Sequence, residues 1–195
     1  MVSDRFTQLI ARIDQLNSQD PTGEVINGTR QPRELVYAQR LSAWVERLDP
    51  QASEALRIAA RGQHVCRWTI PRDRYEMTRR GYLRWRETLK AFHIQKVTEL
   101  MQEVGYPEET REHVQRIMGK RHLSEDPESQ TLEDALCLVF LETQFAELRQ
   151  KTPAEKMQEI LRKTWQKMSA KGRAAATQLA LSQEDRDFVR RALSS

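Results

Sequence analysis

Between Arg61 and His93 the chain reads RGQHVCRWTIPRDRYEMTRRGYLRWRETLKAFH, with eight arginines and no lysine before Lys90. Trp68, Tyr75, Tyr82, Trp85 and Phe92 are interleaved with them, and His64 and His93 stand near the two ends. Arginine is the cation of choice where a planar fork must meet a phosphate or carboxylate, or where a cation lies on an aromatic ring. A face that only meets water would mix lysine and arginine freely. The segment therefore predicts an anion site beside two imidazoles that could ligate a metal or move a proton. The residues expected to hold the anion are Arg61, Gln63, Arg67, Trp68, Arg72, Arg79, Tyr82, Trp85 and Arg86.

Two further residues fall where an apolar side chain would be expected or at the entry of a helix. Asp134 lies at the start of the most apolar segment, and Glu34 lies in the first turn of an earlier one. Two histidines and a carboxylate from separate helices are a common way to build a divalent site, so His64, His93 and Asp134 are the candidate ligands for Mn, Fe, Zn or Mg. Such an ion would lower the pKa of a bound water and polarise a phosphoryl oxygen. Glu34, Glu133 and Lys120 are the candidates for proton transfer beside it. Each has a simpler account: Glu34, Glu133 and Asp134 also suit the positive end of a helix, and Lys120, Arg121 and His122 also read as a solvated loop.

The elements that must position these residues are helical. Ser3 can cap a first amphipathic helix, within residues 1–17, in which Phe6, Leu9, Ile10, Ile13 and Leu16 recur at helical spacing. A stretch rich in breakers, QDPTGEVINGTRQ, reads as a linker. Pro32 opens a helix running to about Leu48, and a small-residue helix follows from Gln51 to about Cys66. After a loop around Pro71, a long helix begins at Thr78 or Arg79 and stops before Gly105-Tyr106-Pro107. A shorter helix spans about Pro107 to Met118. Thr131 can cap TLEDALCLVFLETQF, apolar around nearly its whole circumference and so the expected buried centre. Residues 153–195 alternate charges around Met157, Ile160, Leu161, Trp165 and Met168 and read as covering helices. No strand is expected. The fold class is all-α, a bundle of about seven to nine helices in one domain over residues 1–195, with residues 32–150 carrying the site.

Composition sets bounds. The chain has 195 residues, enough for a sizeable core, and its 32 basic and 28 acidic residues leave a net charge of only +4. A dedicated nucleic-acid coat would be more lopsided, so any positive field is local. Cys66 and Cys137 lie far apart without CxxC spacing, which fits buried reduced thiols. The acidic N-terminus does not read as a signal peptide, and no stretch approaches the length of a membrane span, so a cytoplasmic location is expected. Two functions remain open. One is a metal-dependent hydrolase or binder of a phosphorylated small molecule or nucleotide. The other is a non-catalytic helical module for RNA, such as tRNA, or for a protein, using the arginines and aromatics as a surface.

Longer blocks carry a resemblance. AARGQHVCRW, IPR, RRGYLRWR, FH, GYPEET, SQTLEDALCLVFLE and ILRKTWQKMS together resemble the "domain of unknown function 4202" family over nearly the whole chain. That likeness implies no established activity. The order of elements also resembles the HD-domain superfamily of all-α metal-dependent phosphohydrolases. The likeness implies that Gln63-His64 stands at the superfamily's His-Asp pair, His93 at its further histidine and Asp134 at its late aspartate. Glu34, about thirty residues before His64, would stand near the first histidine. The chain departs from the pattern in lacking the His-Asp pair and in offering a carboxylate as the early ligand.

Overall fold

The computed structural model describes residues 4–120 and 125–194; Ser3, Arg121 and His122, named above, lie outside them. Ten α-helices are present among the described residues: α1 (Asp4–Asn17), α2 (Arg33–Leu48), α3 (Glu54–Gly62), α4 (Arg79–Glu103), α5 (Glu108–Gly119), α6 (Pro127–Thr143), α7 (Phe145–Lys151), α8 (Ala154–Lys167), α9 (Ala170–Ala176) and α10 (Gln183–Leu193). The all-α class holds. The count exceeds the expected seven to nine because the C-terminal third divides into four short helices. No helix among the described residues is long and apolar enough to cross a membrane.

The expected linker after α1 contains instead an antiparallel hairpin, β1 (Gly23–Ile26) paired with β2 (Thr29–Pro32). Asn27 and Gly28 form its turn with φ of 50° and 78°. Positive φ at both central positions is what a two-residue turn needs to match strand twist, and Asn-Gly supplies it cheaply. Asp20, buried beside the hairpin, accepts from Thr22 N at 2.8 Å and from Glu34 N at 3.0 Å. It thus caps the start of α2, a task Pro32 has no side-chain group to perform.

Other boundaries follow local chemistry. Ser53, Thr78, Ser169 and Ser182 each accept a backbone N–H at the start of α3, α4, α9 and α10. Gly105, at φ 78°, ends α4 as expected. The expected cap at Thr131 is corrected: α6 starts four residues earlier, where Asp126 accepts from Glu128 N, and the Thr131 hydroxyl instead bonds back to Pro127 O. Helix α3 stops at Gly62 rather than Cys66, because the chain turns there and Cys66 adopts the left-handed conformation at φ 54°.

Helix α6 is the centre of the core. It packs on α2, α3, α5, α7, α8 and α9, and Leu132, Ala135, Leu138 and Val139 are fully buried. Burying a leucine of this kind contributes roughly 1.5–3 kcal/mol. Cys66 and Cys137 are both free and buried, and burial pushes the Cys137 thiol up to about 12, so it stays protonated. Helix α3 reaches α4 at Gly62, where a Cβ would overlap the Val97 side chain. That close approach brings residues 63–67 beside the middle of α4. Gly62→Ala is expected to destabilise the fold by about 1–3 kcal/mol, read as a lowered urea midpoint at unchanged m-value.

Candidate functional site

A cleft of about 350 Å³ opens where the end of α3 meets α4, α5 and α6. Gln63, His64 and Arg67 come from the turns after α3, and Arg86, Glu87, Lys90 and His93 from successive turns of α4. Lys120 follows α5 in the left-handed conformation, Glu133 stands on α6, and Lys167 ends α8. Among the described residues, five cations therefore line the cleft against two carboxylates. Glu133 is already engaged, bonded to Lys120 and 3.6 Å from Lys167. Burial works against ionisation of Glu133, but Lys120 and Lys167 outweigh it and hold the carboxyl below its usual range.

Glu34 and His64 form the floor. His64 Nδ1 lies 3.2 Å from Glu34 Oε2, and Tyr37 stacks on the imidazole with ring centroids 4.0 Å apart and planes 9° from parallel. Burial raises the Glu34 carboxyl to about 7, against the opposing pull of Arg67 and Arg33. Burial pushes His64 well below its usual range, and Arg67, Arg86 and Lys120 push the same way. His64 is therefore neutral, and the pair is best treated as one titrating unit. While the carboxyl is protonated it donates to Nδ1, so Nε2 carries the ring hydrogen. Once it ionises, Nδ1–H donates to Oε2 and Nε2 is left with a lone pair. Such a unit can give a proton to a ligand oxygen or take one from a water.

His93 is the second imidazole, 5.7 Å from His64 between centroids and only 3 % exposed. Burial, then His64 and the two arginines, lowers it to about 2, so it too is neutral. Its Nε2 and the Gln63 Oε1 are buried without a hydrogen-bond partner among the described residues. Unsatisfied polar atoms in an interior cost about 1–3 kcal/mol each, and two on one cleft are what a ligand or ordered water would satisfy.

The predicted residues divide. Gln63, His64, Arg67, Arg86, His93, Lys120 and Glu133 line the cleft, with Glu34 bonded beneath it. Arg67 also lies over the Trp85 ring at 4.8 Å, while Trp85 Nε1–H donates to Ile70 O at 2.9 Å. The rest are elsewhere. Arg61 grips both carboxylate oxygens of Asp14 at 2.6 Å, tying α3 to α1. Arg72 donates to Tyr75 O at 2.9 Å and Glu76 O at 2.6 Å and braces the loop before α4. Trp68 packs on the core, and Arg79 and Tyr82 are exposed at the start of α4.

The expected metal set is not assembled. Asp134 accepts from Ser169 N at 2.8 Å, from the Ser169 hydroxyl and from Gln130 Nε2 at 3.0 Å, and so anchors the start of α9. Among the described residues no three His, Cys, Asp or Glu side chains are grouped to hold a metal ion. Both oxygens of Asp134 are thus turned to Ser169 and Gln130, and the residues present do not fit the ion that the HD-domain likeness implies.

Four members of the site were missed, Glu87 beside Arg86 among them. Tyr37 sits three residues after Glu34, one turn along the same face, and that spacing could have found it. Lys90 continues the cleft-lining face of α4 one turn past Arg86. Lys167 had no local signal, since only the packing of α8 against α6 brings it to Glu133.

Two outcomes follow from this geometry. Asp134→Ala is expected to cost about 1–3 kcal/mol of stability through the stranded Ser169 groups, measured by chemical denaturation, with no change in bound metal. Glu34 takes up protons in the folded state between pH 4.5 and about 7 that the unfolded chain has released. Its contribution is thus most favourable below pH 4.5 and is lost as pH rises through 7. Glu34→Gln is therefore expected to gain on the wild type as pH rises from 5 to 8, by up to about 3 kcal/mol, in paired unfolding curves.

No curated protein and no solved structure matches the chain. One family model does, over residues 7–189, and it carries the description "Domain of unknown function (DUF4202)". With nearly its whole length matched, the chain belongs to the DUF4202 family.

Proposed function

We propose that this chain binds the phosphate group of a small molecule or nucleotide in the cleft between α3, α4, α5 and α6, with Glu34 and His64 as the pair that exchanges a proton with it. The single observation that carries this reading is the cationic lining of a cleft that also holds two neutral imidazoles. Arg67, Arg86 and Lys120 depress one another's surroundings: each pushes His64 toward its neutral form, and burial pushes the Lys120 ammonium down. Like charges gathered in a low-dielectric cleft repel, and a bound anion relieves that repulsion. The volume of about 350 Å³ lies within the range of small-molecule sites.

Arg86 is lightly committed: among the described residues its one hydrogen bond is a 3.5 Å contact with the Tyr82 hydroxyl. It would be the first to turn to a phosphate. The paired Lys120 and Lys167 would then hold a second edge, in exchange for part of their contact with Glu133. No metal is needed for this binding.

A second reading has its own observation. Tyr82 is 43 % and Leu83 53 % exposed, beside the exposed Arg79, Arg80 and Arg84. Aromatic and cationic groups on an open helix face suit a single RNA strand.

The deciding measurement is thermal unfolding with pyrophosphate, AMP and glucose 6-phosphate, followed by calorimetric titration. At about 100 Kd of ligand the fold should gain about 2.7 kcal/mol. Arg86→Glu should remove that gain while leaving the unliganded midpoint near that of the wild type. No stabilisation by any of the three would sink the cleft reading. Tight, salt-dependent binding of an RNA strand that survives Arg86→Glu and fails in Arg80→Glu/Arg84→Glu would establish the second.

A further inference from the structure

The cationic cleft does not end at its own rim. A groove of about 860 Å³ runs between α4 and α5 and shares Glu87, Lys90 and Gly119 with it. Beyond those residues the chemistry of the walls changes. Gln95, Thr98 and Gln102 on α4 face Gln115 on α5, the carboxylates Glu99 and Glu112 join Glu87 along the length, and Arg116 joins Lys90 as a second cation. Walls of this kind suit a ligand with one anionic end and a long polar body of little net charge.

We propose that the α4–α5 groove takes a phosphorylated segment of another protein, its phosphate in the cleft and its backbone extended along the groove. The inference rests on the phosphate reading of the cleft and adds the identity of what carries the phosphate. Three observations favour a peptide. From Glu87 to Gln102 helix α4 spans about 22 Å, the length of about six or seven extended residues. Amide side chains project from both walls, and a side-chain amide matches the donor and acceptor of a peptide group. Gln95 and Gln115 spend their amide hydrogens on Glu99 at 2.9 Å and Thr98 at 3.2 Å, which leaves their carbonyl oxygens for a backbone N–H.

The same walls disfavour a nucleic-acid strand. None of the described residues lining the groove is aromatic, so they offer no ring to stack a base. A chain of phosphates would also lie against Glu87, Glu99 and Glu112, three carboxylates that outnumber the cations Lys90 and Arg116 among the described lining residues. Lysine or arginine next to the phosphorylated residue would instead meet them. Ala91 is exposed in the groove and is not among the residues lining the cleft, so a bulky side chain there would block the body of the ligand.

The test uses the full chain and a fluorescein-labelled peptide of about a dozen residues, with a central phosphoserine among serine, glycine and lysine, read by anisotropy. Its unphosphorylated twin, inorganic phosphate and a 5′-phosphorylated oligouridylate serve as comparisons. The phosphopeptide should bind at least about tenfold more tightly than either the twin or phosphate, a difference of about 1.4 kcal/mol. Ala91→Trp, and Gln95→Trp as a second block on the same exposed face, should lower that affinity about tenfold or more and leave phosphate binding unchanged. Arg86→Glu should abolish both. A phosphopeptide no tighter than phosphate, or indifferent to both tryptophans, overturns the groove inference and leaves the cleft reading standing. An oligouridylate that binds as tightly as the phosphopeptide overturns the choice of partner. Failure of phosphate, pyrophosphate and phosphopeptide alike removes the cleft reading and this inference with it.

Discussion

Burial of α6 on almost every side is the constraint from which the site follows. A helix apolar around its circumference must be enclosed, and enclosing it takes Glu133 and Asp134 inside with it. A buried carboxylate is tolerable only with partners that replace its lost water. Asp134 finds them in the backbone and hydroxyl of Ser169, which fixes where α9 starts. Gly172 accommodates that contact, because a Cβ there would fall on the Asp134 carboxylate. Glu133 finds them in Lys120 and Lys167, which draws the ends of α5 and α8 toward one point. Two acids adjacent in sequence thus point to different neighbours and do different jobs.

The opposite wall is assembled by the turn after α3. Gly62 lets α3 approach Val97 on α4, and the chain then bends through Cys66 in a left-handed conformation. Asn17 helps to hold the bend, its Oδ1 accepting from Cys66 N at 3.3 Å. The bend presents Gln63, His64 and Arg67 to the middle of α4. Trp85, held by its bond to Ile70 O, then supplies the face on which Arg67 rests. With Glu34 raised to about 7 by burial, the floor offers the cations above it less negative charge than a solvated carboxylate would. The result is a positive cleft over a floor that can hold or release one proton near neutral pH.

Much of the site was legible because its members share one stretch of chain. His64 and His93 were singled out as polar residues in apolar surroundings, and they do meet, at 5.7 Å between rings. The arginines were less readable. Arg61, Arg67, Arg72, Arg79 and Arg86 look alike in sequence, yet one ties helices, one braces a loop, one lies in water and two line the cleft. A guanidinium takes whichever acceptor the fold brings within reach, and the acceptors of Arg61 and Arg72 could not be named from the chain. The hairpin was missed although its Asn-Gly turn was in plain view, because a search for helical periodicity passes over four-residue strands.

What the sequence by itself determined is local: helical periodicity, the apolar character of α6, the Gly105 boundary of α4, and the gathering of arginines and histidines around residues 61–93. Periodicity and capping depend on residues a few positions apart, so they are written in order along the chain. Only the tertiary structure decided that Glu34 lies under His64, that Lys167 reaches Glu133 and that Asp134 turns to Ser169 instead of the imidazoles. Each of those pairings spans thirty or more residues, and it is selected by which helix packs where around α6. The partner of a buried charge is a property of packing, and no spacing along the chain encodes it.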